Sequence, residues 1–164
     1  MESIQHNLNA FTELQFLRNK ELVDAEILTK VNVIGLLFSA SWCPPCQTLE
    51  KDLLSLYNEV NKDDKVFEVI QISNEKMEKE FDDNCNSPWL YVPFNDAFMY
   101  ELVEDYNVKH LPTLIIVNKE RTILSEKGRK DIAEVGNRAF ERWYKAYRTQ
   151  RDGEGDEEVN NMEG

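Results

Sequence analysis

The sequence predicts an α/β fold with a central mixed sheet and helices on both faces, on two observations. Three short apolar runs, each typical of a buried strand, alternate with stretches whose apolar residues have helical spacing. The last run leads through a hairpin into a final helix, which favours a mixed sheet over a purely parallel one. The three runs are residues 31–39, 66–72 and 113–117.

The segments that flank the first run are short. Residues 15–18 and 21–23 predict a small hairpin, and residues 25–30 predict one helical turn before the strand. After the strand, a helix with one buried face is indicated by apolar residues at Leu49, Leu53, Leu56, Tyr57 and Val60.

The middle of the chain is more polar. Residues 62–65 predict a charged turn, and residues 75–83 predict a charged helix whose first half, residues 75–80, forms a solvated face. Residues 84–95 contain two prolines and a tryptophan, which indicates an irregular but ordered loop. Residues 97–106 predict another helix.

The C-terminal part begins with a hairpin turn at residues 119–121. A final helix is predicted from about Lys130 to Tyr147, with Gly136 as a mild cost within it. Beyond that, acidic residues and glycines predict a disordered tail. The resulting division is a polar N-terminal segment (1–13), one domain (14–150) and an acidic disordered tail (151–164).

Composition excludes several classes of protein. The 164 residues carry a net charge of -12, which disfavours binding to nucleic acid or to an anionic membrane, since both need a basic surface. The longest apolar run, residues 33–38, is far shorter than the ~20 residues that cross a bilayer, and no secretory signal follows Met1. We expect a monomer in the cytoplasm, with the nucleus as an alternative.

The residues most informative about chemistry are Cys43 and Cys46, a CxxC pair between a predicted strand and a predicted helix. The positive end of the helix favours a thiolate at Cys43, which makes it the predicted nucleophile. Cys46 lies one turn further on and is the predicted resolving thiol. The alternatives are a zinc site or two incidental thiols. Zinc usually needs four ligands, and the other candidates, Cys85, His6 and His110, form no second pair.

Five residues around the dithiol are candidates for docking a substrate: Trp42, Pro44, Pro45, Leu111 and Pro112. Pro44 and Pro45 suit the first helical turn, where a missing N–H costs nothing. Trp42 offers an apolar surface. The proline before the third strand is either ordinary strand punctuation or a cis-proline packed against the dithiol.

Several segments together resemble one family. Residues 38–46 (FSASWCPPC) resemble the active-site segment of tryparedoxins and nucleoredoxins, within the thioredoxin superfamily. Residues 88–94 resemble that family's Pro-Trp-x-x-Val-Pro-Phe segment, and residues 106–108 with 111–113 resemble its cis-proline region. Residues 127–130, with the helix after them, are most similar to the nucleoredoxin-like branch of the rod-derived cone viability factor.

The resemblance covers about residues 14–147, and it implies a thioredoxin fold, a cis bond at Pro112 and thiol–disulfide oxidoreductase activity. Two departures limit the mechanism. Leu37 stands where many thioredoxins have a buried aspartate that assists proton transfer, and Gln47 stands where tryparedoxins commonly have arginine. Activation of Cys43 is therefore expected mainly from the helix terminus.

The sequence thus predicts a protein-disulfide reductase that needs no metal or organic cofactor and takes electrons from an upstream disulfide reductase or a thiol pool. A dithiol oxidant or isomerase and a non-enzymatic interaction or signalling module remain as alternatives. Trp89 is expected in the core, Cys85 as an incidental, semi-exposed thiol and His110 at the surface.

Overall fold

The computed structural model describes residue 11 and residues 14–163, with side chains up to residue 153. The predicted N-terminal segment lies outside the described residues except for Phe11, which is buried. The chain forms one seven-stranded mixed sheet with helices on both faces, so the predicted fold class is confirmed. No helix in the described part of the chain is long and apolar enough to span a membrane.

The strands of the sheet are numbered in chain order. Their bounds are β1 Gln15–Arg18, β2 Glu21–Asp24, β3 Val33–Ser39, β4 Phe67–Ser73, β5 Leu90–Tyr91, β6 Thr113–Val117 and β7 Ile123–Ser125. Their order in the sheet is β2-β1-β5-β4-β3-β6-β7. The central strands β3 and β4 are parallel, with Ser39 opposite Ser73, while β6 pairs antiparallel to β3. This arrangement brings the carboxyl ends of β3 and β4 to the same edge of the sheet.

In the part of the chain that the structure describes, five α-helices cover the sheet: α1 Pro44–Val60, α2 Glu78–Asn84, α3 Ala97–Asp105, α4 Gly128–Val135 and α5 Ala139–Glu163. Short 3-10 helices occupy Ala25–Lys30 and Gly136–Arg138. Alternation along the strands separates two cores. Helix α3 packs on one face through Phe98 and Leu102, and helices α1, α2, α4 and α5 pack on the other.

The predicted continuous helix from Lys130 to Tyr147 is wrong, because Gly136 interrupts it. Gly136 has φ +60° and ψ -135°, a conformation that residues with a Cβ rarely adopt. The glycine therefore ends α4 and allows the chain to turn before α5, instead of being a small cost inside one helix.

Helix α5 continues to Glu163 and crosses the expected boundary at residue 150. The division into a domain and a disordered tail stays a prediction. Trp143 is buried in the core and anchors the start of this helix. Once a helix is anchored, each further residue adds a backbone hydrogen bond for one residue fixed, so a polar sequence can extend it.

Candidate functional site

The dithiol lies where β3 ends and α1 begins. Cys43 is the N-cap residue of α1 with extended backbone angles, and Pro44 and Pro45 take the first two helical positions. The Cys46 and Gln47 N–H groups donate to the Cys43 carbonyl oxygen at 3.0 and 3.3 Å. Proline at the first positions is tolerated because the N–H groups there have no partner within the helix.

This geometry refines the predicted activation of Cys43. Among the described residues, no helix N–H donates to the Cys43 side chain. The two prolines carry no N–H, and the next two N–H groups are used by the Cys43 carbonyl. Stabilisation of a Cys43 thiolate by the helix therefore acts through the helix dipole rather than through a direct hydrogen bond.

The two thiols differ in exposure. Cys43 is 8% exposed and Cys46 is fully buried, and both are free thiols that pack with Ala40 and against Leu111. Burial, reinforced by a hydrogen bond with the Cys43 thiol, raises the pKa of Cys46 to about 11. A thiol with this pKa is almost wholly protonated at neutral pH, so Cys46 must lose a proton before it can act as a nucleophile.

Of the predicted docking residues, Trp42, Pro44 and Pro45 flank Cys43 in the chain, and Leu111 packs against the dithiol. Trp42 is 56% exposed and its indole N–H donates to the Asn74 carbonyl oxygen at 3.0 Å, which fixes the ring over the loop after β4. Pro44 and Pro45 are exposed. The Leu111–Pro112 peptide bond is cis, as the resemblance implied.

An apolar groove of about 260 Å³ continues from Leu111 away from the dithiol. Its walls include the exposed side chains of Tyr100 and Val103, and His110 lies at the surface beside it, as expected. The groove and Trp42 together give the site an apolar border.

A buried polar cluster that the sequence did not reveal lies beneath the dithiol. The Ser39 hydroxyl donates to Glu50 Oε2 at 3.2 Å, and its interaction with the Cys46 thiol acts to lower the pKa of Cys46. Gln71 Nε2 donates to Glu50 Oε1 at 2.9 Å, and Gln71 Oε1 accepts from the Trp89 indole at 2.9 Å. Trp89 is fully buried, which confirms its place in the core.

The sequence did contain a signal that Glu50 lies near the dithiol. Glu50 follows Cys46 by four residues, so both lie on the same face of α1. Burial raises the pKa of Glu50, and the neighbouring charge of Glu75 raises it further, against hydrogen bonds from Gln71 and Ser39 that lower it.

The prediction that Glu75 lies on a solvated helix is wrong. Helix α2 begins only at Glu78, and Glu75 lies buried in the preceding loop. Its carboxylate accepts from the Ser41 backbone N–H at 2.6 Å and from the Ser41 hydroxyl at 2.7 Å. The parallel pairing of β3 and β4 brings these two loops together, and the carboxylate then satisfies donors that would otherwise be buried without a partner.

Cys85 is not the semi-exposed thiol expected from the sequence. It is 7% exposed, and burial raises its pKa to about 12. Among the described residues, no group of three or more histidine, cysteine or acidic side chains could hold a metal ion.

With this geometry in view, comparison with known proteins places the chain. The model of a family described as thioredoxin-like matches residues 31–123, which contain the dithiol, Glu50 and Pro112. The chain belongs to the thioredoxin-like family. Family members of this type are thiol oxidoreductases in general, and the chain is of the nucleoredoxin and tryparedoxin type.

Curated relatives include probable nucleoredoxin 3 of Arabidopsis thaliana, which is 38% identical over 65% of this chain, and nucleoredoxin of Danio rerio, 33% identical over 70%. Each match covers 28% of the relative, so the chain spans about a quarter of the length of these proteins. The narrower resemblance to the rod-derived cone viability factor branch stays a prediction.

Solved structures support the same fold. Thioredoxin from Wuchereria bancrofti has a TM-score of 0.71 and 26% identity, over 83% of this chain and 97% of that one. Tryparedoxin from Trypanosoma brucei has a TM-score of 0.68 and 30% identity, over 79% and 92%.

Proposed function

We propose that this protein is a thiol–disulfide oxidoreductase that reduces disulfide bonds in other proteins. The observation that carries the proposal is the pair of free thiols at the start of α1, one at the surface edge and one fully buried behind it. The pair is bordered by an exposed indole and an apolar groove, which suits a polypeptide partner.

The reaction proceeds in two exchanges. The Cys43 thiolate attacks one sulfur of the partner disulfide, forms a mixed disulfide and releases the first partner thiolate. Cys46, after losing its proton, attacks the Cys43 sulfur, closes the Cys43–Cys46 disulfide and releases the second partner thiolate. The partner gains two electrons, which the dithiol loses, and the two partner thiolates take up protons from solvent.

Docking is assigned to Trp42, Pro44, Pro45, Leu111 and Pro112. Electrons return to the dithiol from an upstream disulfide reductase or a thiol pool, and no bound cofactor takes part. A reducing compartment, the cytoplasm or the nucleus, is the setting in which the reductive direction is favoured.

Reduction of insulin disulfides with dithiothreitol as donor tests the proposal. The wild-type protein should accelerate the reaction, Cys43→Ser should abolish the acceleration, and Cys85→Ala should retain it. Cys46→Ser should accumulate a mixed disulfide with the substrate, visible as a covalent adduct without reductant. A wild-type rate equal to that of Cys43→Ser refutes the proposal.

A further inference from the structure

The proposed reaction requires the release of a proton from Cys46. This thiol is fully buried, and its pKa is raised to about 11. Solvent cannot collect the proton directly from a buried sulfur, so the protein interior must supply an acceptor. The Ser39 hydroxyl is the side-chain partner of this thiol that acts to lower its pKa.

The next atom along the chain of hydrogen bonds belongs to Glu50. The Ser39 hydroxyl donates to Glu50 Oε2 at 3.2 Å, and the Glu50 side chain is only half-buried, so it reaches both the interior and solvent. Ser39 is itself fully buried. Cys46, Ser39 and Glu50 thus connect the buried thiol to the surface.

The residues around Glu50 determine which of its two carboxylate oxygens can accept a proton. The Trp89 indole can only donate, so Gln71 must turn its carbonyl oxygen toward Trp89 and its NH₂ group toward Glu50. That NH₂ group occupies Oε1 at 2.9 Å, and a proton arriving at Glu50 is therefore directed to Oε2.

The charged and titratable groups near Glu50 favour proton uptake. In the part of the chain that the structure describes, no lysine or arginine forms an ion pair with Glu50. Glu75 adds a second negative charge nearby, and the phenol of Tyr91 interacts electrostatically with Glu50. A carboxylate beside a like charge and without a cation accepts a proton more readily than one in water.

We infer that Glu50 receives the Cys46 proton through the Ser39 hydroxyl during resolution of the mixed disulfide. Cys46 gives its proton to Ser39 Oγ while Ser39 gives its own to Glu50 Oε2. The resulting Cys46 thiolate attacks the Cys43 sulfur, and Glu50 later releases the proton to solvent. Glu50 is a positioning residue that acts through Ser39, and the inference rests on the proposed function.

The experiment uses the aromatic disulfide dithionitrobenzoate, which releases one coloured thiol when Cys43 attacks and a second when Cys46 resolves the mixed disulfide. Stopped-flow absorbance gives both rates on the full-length chain. For Glu50→Gln we expect an unchanged first rate and a second rate about 10-fold or more lower at neutral pH. The deficit should shrink toward about pH 10, where hydroxide can deprotonate Cys46 without help.

Two further variants make the result specific. Ser39→Ala should reproduce the slow second step and its pH dependence, which keeps the inference testable if Glu50→Gln folds poorly. Asp52→Asn, an exposed carboxylate on the same helix, should leave both rates unchanged.

A second rate that is unaltered in Glu50→Gln, or lowered equally at every pH, overturns the inference. Absence of the first step in the wild-type protein would instead refute the proposed function, so the two failures are distinguishable.

Discussion

Two carboxylates on this scaffold, the buried Glu68 and the half-buried Glu50, have opposite surroundings. Glu68 Oε2 lies 2.6 Å from Arg18 Nη2 and 3.6 Å from Lys65 Nζ, and Glu68 Oε1 accepts from the Tyr57 hydroxyl at 3.0 Å. Glu50 accepts only from an amide and a hydroxyl among the described residues. Two cations bind Glu68 as an anion in a structural role, whereas neutral donors leave Glu50 able to take up a proton.

The largest effect is expected when the ion pair of Glu68, the carboxylate with a structural role, is broken. Arg18→Met removes the short ion pair and leaves the Glu68 carboxylate, whose side chain is 4% exposed, with a more distant cation. We expect a loss of about 2 kcal/mol in the free energy of unfolding, below the ~3–5 typical of a broken buried pair because Arg18 is partly exposed and Lys65 remains. Urea denaturation measures it.

The matched control for Arg18→Met is Lys79→Met, which removes a fully exposed ion pair with Asp83. Its unfolding midpoint should stay within experimental error, because exposed pairs contribute little. Insulin reduction by Arg18→Met should keep the wild-type rate at a temperature where the variant is folded. A slowed reaction there would show that the two carboxylate regions are coupled.

A smaller effect is expected at Glu75, which links the two loops beside the dithiol. Glu75→Gln keeps one acceptor oxygen for Ser41 but loses the charge, so we expect a loss of about 1 kcal/mol in stability. Removing this charge also lowers the pKa of Glu50, since Glu75 is one of the causes that raise it. The second thiol release from dithionitrobenzoate should therefore slow modestly at neutral pH, and a faster release would contradict the assigned electrostatics.

The pH dependence of stability sharpens the comparison further. Because burial raises the pKa of Glu50, its contribution to stability is fully present below its unfolded pKa of about 4.3 and is lost as pH rises through the folded value. Glu50→Gln should therefore gain stability relative to wild type as pH rises from about 4 to about 8. The gain should stay below about 1 kcal/mol because the carboxylate is partly solvated.

Urea midpoints across that pH range test the change. The Asp52→Asn variant serves as the control, and its difference from wild type should follow no such trend. A relative stability of Glu50→Gln that falls with rising pH would indicate a Glu50 pKa below its unfolded value.

Local patterns were enough to predict the dithiol and every strand of the sheet except β5, because strand runs and a CxxC pair are contiguous in sequence. The two-residue strand β5 lies within the predicted loop 84–95, where it is too short to give a pattern. They failed for Glu75, whose charged neighbours are typical of a solvated helix but whose carboxylate meets Ser41 only after β3 and β4 pair. They also failed for Gly136, where backbone conformation rather than helix propensity decides the outcome. Gln71, the hydrogen-bond partner of Glu50, lies on strand β4, so spacing along helix α1 could not reveal it.

The smallest expected effect concerns the other buried thiol, Cys85. Burial raises the pKa of Cys85 to about 12, and the charge of Asp82 adds to the shift. Cys46 is also buried, but its interaction with Ser39 opposes the rise. If Glu50 accepts the Cys46 proton through Ser39, that path is what makes Cys46 usable, and a buried Cys85 without one should be inert.

Cys85→Ala should accordingly leave both thiol releases from dithionitrobenzoate unchanged, and the native protein should release two equivalents, not three. Mass spectrometry after brief alkylation near neutral pH should find Cys85 unmodified. Rapid modification of Cys85 in the folded protein would show that a thiol without such a path reacts, and would remove the reason for assigning one to Cys46.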